Sequence, residues 1–126
     1  MYLLLLASLG GAFGAGARYL VNAGCLAAFG PAFPWATLGV NVAGSLAMGA
    51  LAEVIANRYG GSPELRTLLM TGILGGFTTF SAFSLDVANL IGRDALGLAA
   101  AYTLASVVLS VLALYAGLAL GRGYFA

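Results

Sequence analysis

Hydroxyl groups, glycines and aromatic rings are concentrated in one stretch of an otherwise apolar segment. Residues 72–84 combine three glycines and four hydroxyl side chains with phenylalanines at Phe77, Phe80 and Phe83. Glycine loosens a helix, and a carbonyl released inside a membrane must find another partner. The stretch predicts a helix that is broken near the middle of a bilayer, with carbonyls available to an ion and rings beside them. The alternative is a continuous helix whose small residues pack closely on a neighbour.

Two other segments carry polar side chains at a spacing of four residues, which places them on one helix face. The first set is Thr37, Asn41 and Ser45, and the second is Tyr102, Ser106 and Ser110. Hydroxyls often bond back to their own helix, and amides often bond across a helix interface. Two such stripes beside a broken helix favour the other interpretation, in which the donors line a pathway for an ion.

The composition is that of a membrane protein. Of the 126 residues, 62% are hydrophobic and 7% are charged, whereas soluble domains are roughly 25% charged. The chain has no histidine and one cysteine, Cys25, which excludes an internal disulfide, a histidine- or cysteine-type metal site and a nucleophile–histidine–acid triad. We therefore do not expect an enzyme, and the net charge near zero argues against nucleic acid as a partner.

Four apolar runs predict four membrane-spanning helices in a single domain of residues 1–126. The predicted helices cover residues 2–26, 35–56, 63–91 and 95–120. For the first run the alternative is a secretory signal, but no basic segment precedes its leucines. Ser62 followed by Pro63 predicts an N-cap at the start of the third helix.

The arginines give only a weak indication of orientation in the membrane. With the N-terminus inside, three of them (Arg58, Arg66 and Arg122) lie inside, Arg93 lies outside and Arg18 lies near the outer end. So small a bias permits insertion in both directions. Four helices cannot easily enclose a pathway alone, so we expect an antiparallel homodimer with its two-fold axis in the membrane plane.

Three segments resemble the small dual-topology fluoride channels of microbes, the Fluc or CrcB-type family. They are GGAFGAGARY, TLGVNVAGS and GGFTTFSAF, at residues 10–19, 37–45 and 75–83. Their order and spacing extend the resemblance over essentially the whole chain. The resemblance implies a multi-pass protein of the microbial cell membrane, an antiparallel homodimer with two pores that exports toxic fluoride passively.

The resemblance also implies roles for individual residues. Phe80 and Phe83 would line the fluoride pathway, and Arg18 would match the arginine of the family's first helix. The polar groups expected in the same pathway are Asn41, Tyr102, Ser106, Ser110, Thr37 and Thr79. Together with Asp86, Arg18 would form a vestibule at the mouth of this pathway.

The resemblance also implies a cation site in the third helix. According to the resemblance, the carbonyls of Gly75 and Thr78 would hold a structural sodium ion shared by both subunits. Two positions depart from the family pattern, since threonine is common where Ala82 stands and glutamate is common where Asp86 stands.

Neutral donors suit fluoride, which is small, strongly hydrated and a strong hydrogen-bond acceptor. Hydroxyl and amide groups can replace its water without a full charge that would trap the ion, and aromatic ring edges carry partial positive charge. Two other functions stay open: a small multidrug-type, proton-coupled exporter and a structural subunit without transport. The exporter needs a membrane carboxylate early in the chain, and the first helix has Arg18 but no acid.

Overall fold

The computed structural model describes residues 1–124, which form helices joined by short connections. Four segments are long and apolar enough to cross a membrane: Tyr2–Phe29, Trp35–Arg58, Pro63–Gly92 and Leu96–Gly123. They are called the first to fourth spans below. Each coincides with a predicted helix to within a few residues at its ends. The prediction of an all-helical membrane protein with four spans is therefore confirmed.

Local sequence explains where two of the spans end and begin. The first span stops at Gly30, whose φ of 74° suits a residue without a side chain. The third span begins at the predicted cap, because the Ser62 Oγ accepts a hydrogen bond from the Leu65 N–H at 3.3 Å. Pro63 occupies the first helical turn, where its missing N–H costs nothing.

The third span is not one regular helix. Its helical segments are Pro63–Leu65, a π-helix over Arg66–Leu74, Gly75–Phe77 and Phe80–Gly92. Between the last two, Thr78 and Thr79 are extended, with ψ angles of 159° and 126°. The predicted break is therefore present in the middle of the span, and it falls on the two threonines that follow the glycines.

The π-helical segment packs against the first span through direct backbone contacts. A β-carbon added to Gly10 would lie 2.6 Å from the Leu68 carbonyl oxygen and 2.9 Å from the Gly72 Cα. In the segment that follows, a β-carbon added to Gly76 would lie 2.5 Å from the Gly11 carbonyl oxygen. Small residues thus set the distance between these spans. The π-helix itself was not predicted, and such segments are often found at functional sites.

The second and fourth spans pack against each other along most of their length. Gly49 and Gly117 lie at this contact, where an added β-carbon would overlap the carbonyl oxygen of Leu114 or Leu46, respectively. The second half of the third span, Phe80–Gly92, joins the fourth span through a small buried core. The break and the fourth span are thereby held side by side, which positions the site described next.

Candidate functional site

A cavity of ≈ 320 Å³ lies between the second span, the break in the third span and the fourth span. We call it the central cavity. Six of the eight residues predicted for the pathway line it: Asn41, Thr79, Phe80, Phe83, Ser106 and Ser110. Ser45 and Met48 of the second span are also in its wall. The fold thus gathers polar and aromatic side chains from three spans around one space.

Two hydroxyl groups in this wall lack a hydrogen-bond partner. Among residues 1–124, no group meets hydrogen-bond geometry with the buried Oγ atoms of Ser106 and Ser110, although the Tyr102 hydroxyl lies near that of Ser106. Thr103 on the same span behaves differently, since its hydroxyl donates to the Ala99 carbonyl at 2.8 Å. Buried polar groups are nearly always hydrogen-bonded to protein or to water. Unpaired hydroxyls facing one cavity therefore indicate that water or a ligand supplies the partner.

Phe80 and Phe83 enter the central cavity from the start of the second half of the third span. Their ring centroids are 5.4 Å apart, with 49° between the ring planes. Phe83 is 8% exposed and packs on the Tyr102 ring at 5.2 Å, whereas Phe80 is 76% exposed. Phe83 thus forms an inner part of the wall, and Phe80 lies at the surface of the chain.

The Asn41 amide is bonded to the backbone of the break. Its Oδ1 accepts from the Thr79 N–H at 2.8 Å, and its Nδ2 donates to the Thr79 carbonyl at 2.9 Å. The Thr79 Oγ1 in turn accepts from the Ala82 N–H at 3.1 Å and caps the following helix. The polar stripe predicted that Asn41 donates to an ion. One N–H of its Nδ2 group bonds Thr79, and the other can donate to an ion.

The break changes the bonding of the two carbonyls predicted to hold sodium. In a continuous α-helix, Gly75 and Thr78 would accept from the N–H groups of Thr79 and Ala82. Here those N–H groups donate to Asn41 Oδ1 and Thr79 Oγ1 instead. Both carbonyls have therefore lost their usual helical donors.

Tyr102 and Thr37 lie outside the central cavity. Tyr102 is fully buried, and its hydroxyl donates to the Asp86 Oδ2 at 2.9 Å. Thr37 and Asp86 line two further cavities of ≈ 590 and ≈ 390 Å³. The Tyr102 ring contacts Phe83 in the wall of the central cavity, and its hydroxyl reaches Asp86 in the walls of the other two.

The ≈ 390 Å³ cavity contains both residues predicted for a vestibule, Arg18 and Asp86. Thr79 belongs to the wall of this cavity and also to that of the central cavity. The half-buried Arg18 donates from Nε to the Gly76 carbonyl at 3.1 Å. Ala82, one of the two departures from the family pattern, presents a methyl group to the same cavity.

Some features of the site were not predicted. Ser45 was identified in the polar stripe of the second span but was not assigned to the pathway, although its spacing from Asn41 was a usable signal. Met48 carries no comparable signal, because a methionine in an apolar span is ordinary core. The bonds from Asn41 and Arg18 to the third span could not be read from spacing, since they depend on which spans are neighbours.

Together, the four spans and the central cavity define a small multi-pass membrane protein. Residues 5–118 match the family described as "CrcB-like protein, Camphor Resistance (CrcB)". The chain is 53% identical over 122 residues to a protein of Agrobacterium fabrum (strain C58), covering 97% of this chain and 98% of the relative. It is 59% identical over 122 residues to one of Chelativorans sp. (strain BNC1), with coverage of 97% and 98%.

A third relative, from Rhodospirillum centenum, is 57% identical over 122 residues, which are 97% of each chain. All three relatives are named fluoride-specific ion channel FluC. The chain therefore belongs to the CrcB family, as its motifs predicted. The names of the relatives describe ion channels, in agreement with the prediction that the protein is not an enzyme.

Proposed function

We propose that the protein is a fluoride channel through which fluoride leaves the cell passively. The observation that carries the proposal is the pair of buried, unpaired hydroxyls of Ser106 and Ser110 in a cavity shared with Phe80 and Phe83. Fluoride accepts hydrogen bonds strongly, so these hydroxyls and the edges of the two rings can take the place of its water. The names of the relatives support fluoride as the permeant ion.

The electrostatics of the central cavity suit conduction more than tight binding. None of the described residues in its wall is charged. Neutral donors stabilise an anion less than an arginine would, so the ion can leave as well as enter. Arg18 stands outside, in the wall of the ≈ 390 Å³ cavity, where its charge raises the local anion concentration. We assign this cavity, with Arg18 and Asp86, to the vestibule.

We place Tyr102 and Thr37 at the boundary between the vestibule and the central cavity. The Tyr102 hydroxyl is held by Asp86, so its ring and not a free hydroxyl faces the Phe83 side. Thr37 lines the vestibule cavity on the second span, one helical turn before Asn41. A fluoride ion would then pass Thr37 and Thr79 before it reaches the unpaired hydroxyls.

The working unit in this proposal is an antiparallel homodimer. Gly75 is exposed at the surface of the subunit, and its carbonyl has lost the helical donor that lipid cannot replace. Phe80, a wall residue of the central cavity, is 76% exposed. A second copy related by a two-fold axis would cover both residues and close the cavity on its open side.

The same arrangement fits a structural sodium ion. Gly75 and Thr78 from two copies would offer four neutral carbonyl oxygens, which are ligands that suit a small hard cation. Their usual N–H donors are engaged with Asn41 and Thr79 side-chain oxygens. When bound, the ion would supply positive charge near the anion pathway in a low-dielectric environment.

The two alternative functions have less support. Glu53, an acid near the end of the second span, pairs with Arg122 at 2.8 Å and with Asn57 at 3.0 Å. Asp86 is engaged by the Tyr102 hydroxyl. Neither carboxylate resembles the unpaired mid-membrane acid that a proton-coupled exporter needs. A structural subunit without transport would not require a cavity with unpaired hydroxyls.

Fluoride efflux from liposomes tests the proposal. Purified protein is reconstituted into vesicles loaded with potassium fluoride, and efflux is started with valinomycin and followed with a fluoride electrode. We expect rapid efflux of fluoride and none from vesicles loaded with chloride. Efflux that requires a proton gradient would point to an exporter. The absence of any efflux from well-inserted protein would rule the channel out.

A further inference from the structure

The Asn41 side chain acts as a backbone partner at the break. Its amide both accepts from the Thr79 N–H and donates to the Thr79 carbonyl, at 2.8 and 2.9 Å. A carboxamide presents the same donor and acceptor as a peptide group. The pairing therefore resembles the two-way hydrogen bonding of opposed residues in a β-ladder. Thr79 has the matching extended conformation, with φ of −156° and ψ of 126°.

The second span is also shaped to receive the extended residue before Thr79. A β-carbon added to Gly44, three residues after Asn41, would overlap the Cγ2 atom of Thr78. Glycine at this position leaves room for the Thr78 side chain. The Asn41 amide thus bonds the open backbone at Thr79, and Gly44 leaves space for the Thr78 side chain.

Without the Asn41 amide, the Thr79 N–H has two alternatives. It stays unpaired in an apolar environment, which is costly, or it bonds the Gly75 carbonyl and the helix closes. We propose that Asn41 is the positioning residue that keeps the third span open at Thr79 and the Gly75 carbonyl free of its helical bond.

This role links two parts of the site. Phe80 directly follows Thr79, so the location of its ring in the central cavity depends on the open backbone. The Gly75 carbonyl stays available only while the Thr79 N–H is engaged elsewhere. The consequence for sodium and for flux rests on the proposed function, whereas the backbone role of Asn41 does not.

Solid-state NMR of the protein in liposomes, with ¹³C- and ¹⁵N-labelled threonine, tests the inference. In the wild type, Thr78 and Thr79 should have extended carbon shifts, and the Thr79 amide should exchange slowly with deuterium. In Asn41→Leu, which keeps a similar volume, we expect both threonines to take helical carbon shifts, because the Thr79 N–H then bonds the Gly75 carbonyl. Ser45→Ala, on the same face and in the same cavity, should leave both measurements as in the wild type.

A second variant removes only half of the pairing. Asn41→Asp keeps an acceptor for the Thr79 N–H, but its carboxyl loses the donor for the Thr79 carbonyl only when it ionises, so the variant is measured at a pH above that ionisation. It should keep the amide slow while shifting the Thr79 carbonyl carbon resonance. Extended threonine shifts in Asn41→Leu, or an unchanged Thr79 carbonyl resonance in ionised Asn41→Asp, would overturn the inference. Since neither readout involves transport, a wild-type protein without fluoride efflux would defeat the proposed function and leave this test intact.

Discussion

Replacing Ser106 by alanine should change fluoride flux and stability in opposite directions. The Ser106 hydroxyl is buried, with 7% of the residue exposed, and has no hydrogen-bond partner among residues 1–124. A serine that served only packing would lose little on truncation. A hydroxyl that bonds a permeating ion should instead leave the free energy of unfolding unchanged or lower it, and it should be necessary for conduction.

The magnitudes follow from what the hydroxyl can bond. An unsatisfied buried polar group costs about 1–3 kcal/mol, so its removal should raise the free energy of unfolding by up to that amount, and by less where water fills the cavity. A hydrogen bond to a charged group is worth about 1.5–3 kcal/mol. If the ion loses this bond at the barrier, flux should fall about 10- to 100-fold, since about 1.4 kcal/mol corresponds to a factor of ten.

The assay combines fluoride efflux from liposomes with thermal unfolding of the same protein in detergent. Thr103→Val is the matched control, because Thr103 lies on the same span but its hydroxyl is already bonded to the Ala99 carbonyl. That variant should keep wild-type flux. Wild-type flux in Ser106→Ala, or a clear loss of stability in the same variant, would refute the reasoning.

Three further predictions concern the pathway and the assembly. Phe80→Ile and Phe83→Ile should each reduce fluoride flux sharply, because isoleucine lacks the electropositive ring edge; the stability of the subunit should fall mainly for Phe83, which is 8% exposed against 76% for Phe80. A single cysteine at Gly123, introduced after Cys25 is replaced by serine, should react with an impermeant reagent from both sides of the membrane, and labelling from one side only would exclude dual topology. Replacing sodium by N-methyl-D-glucamine should slow fluoride flux or weaken the dimer on size-exclusion chromatography, and identical behaviour in both salts would count against the proposed sodium site.

The four spans could be predicted because the signals for them are local. A membrane helix requires about twenty apolar residues, and its ends follow from nearby residues such as Ser62 and Pro63. The break was predictable for a similar reason, since Gly75 and Gly76 lie just before the two extended threonines, with only Phe77 between them. Its position within the stretch was not, because Thr79 leaves the helix by bonding a side chain of another span.

Periodicity also identified most residues of the site, but it did not show which of their polar groups have hydrogen-bond partners. Four-residue spacing placed Asn41 and Ser106 on polar faces, and both line the central cavity. Spacing cannot distinguish a hydroxyl that bonds its own helix, as in Thr103, from one left unpaired, as in Ser106. That difference depends on whether a neighbouring span supplies a partner.

Tertiary structure alone decided how the polar groups are divided. In the folded chain the Tyr102 hydroxyl is hydrogen-bonded to Asp86, the Arg18 guanidinium to the Gly76 carbonyl, and the Asn41 amide to the Thr79 backbone. Each of these bonds joins two different spans. A hydrogen bond needs its two heavy atoms within about 3 Å of each other. The sequence therefore determines which residues are polar, whereas the packing of the spans determines which polar groups come close enough to bond.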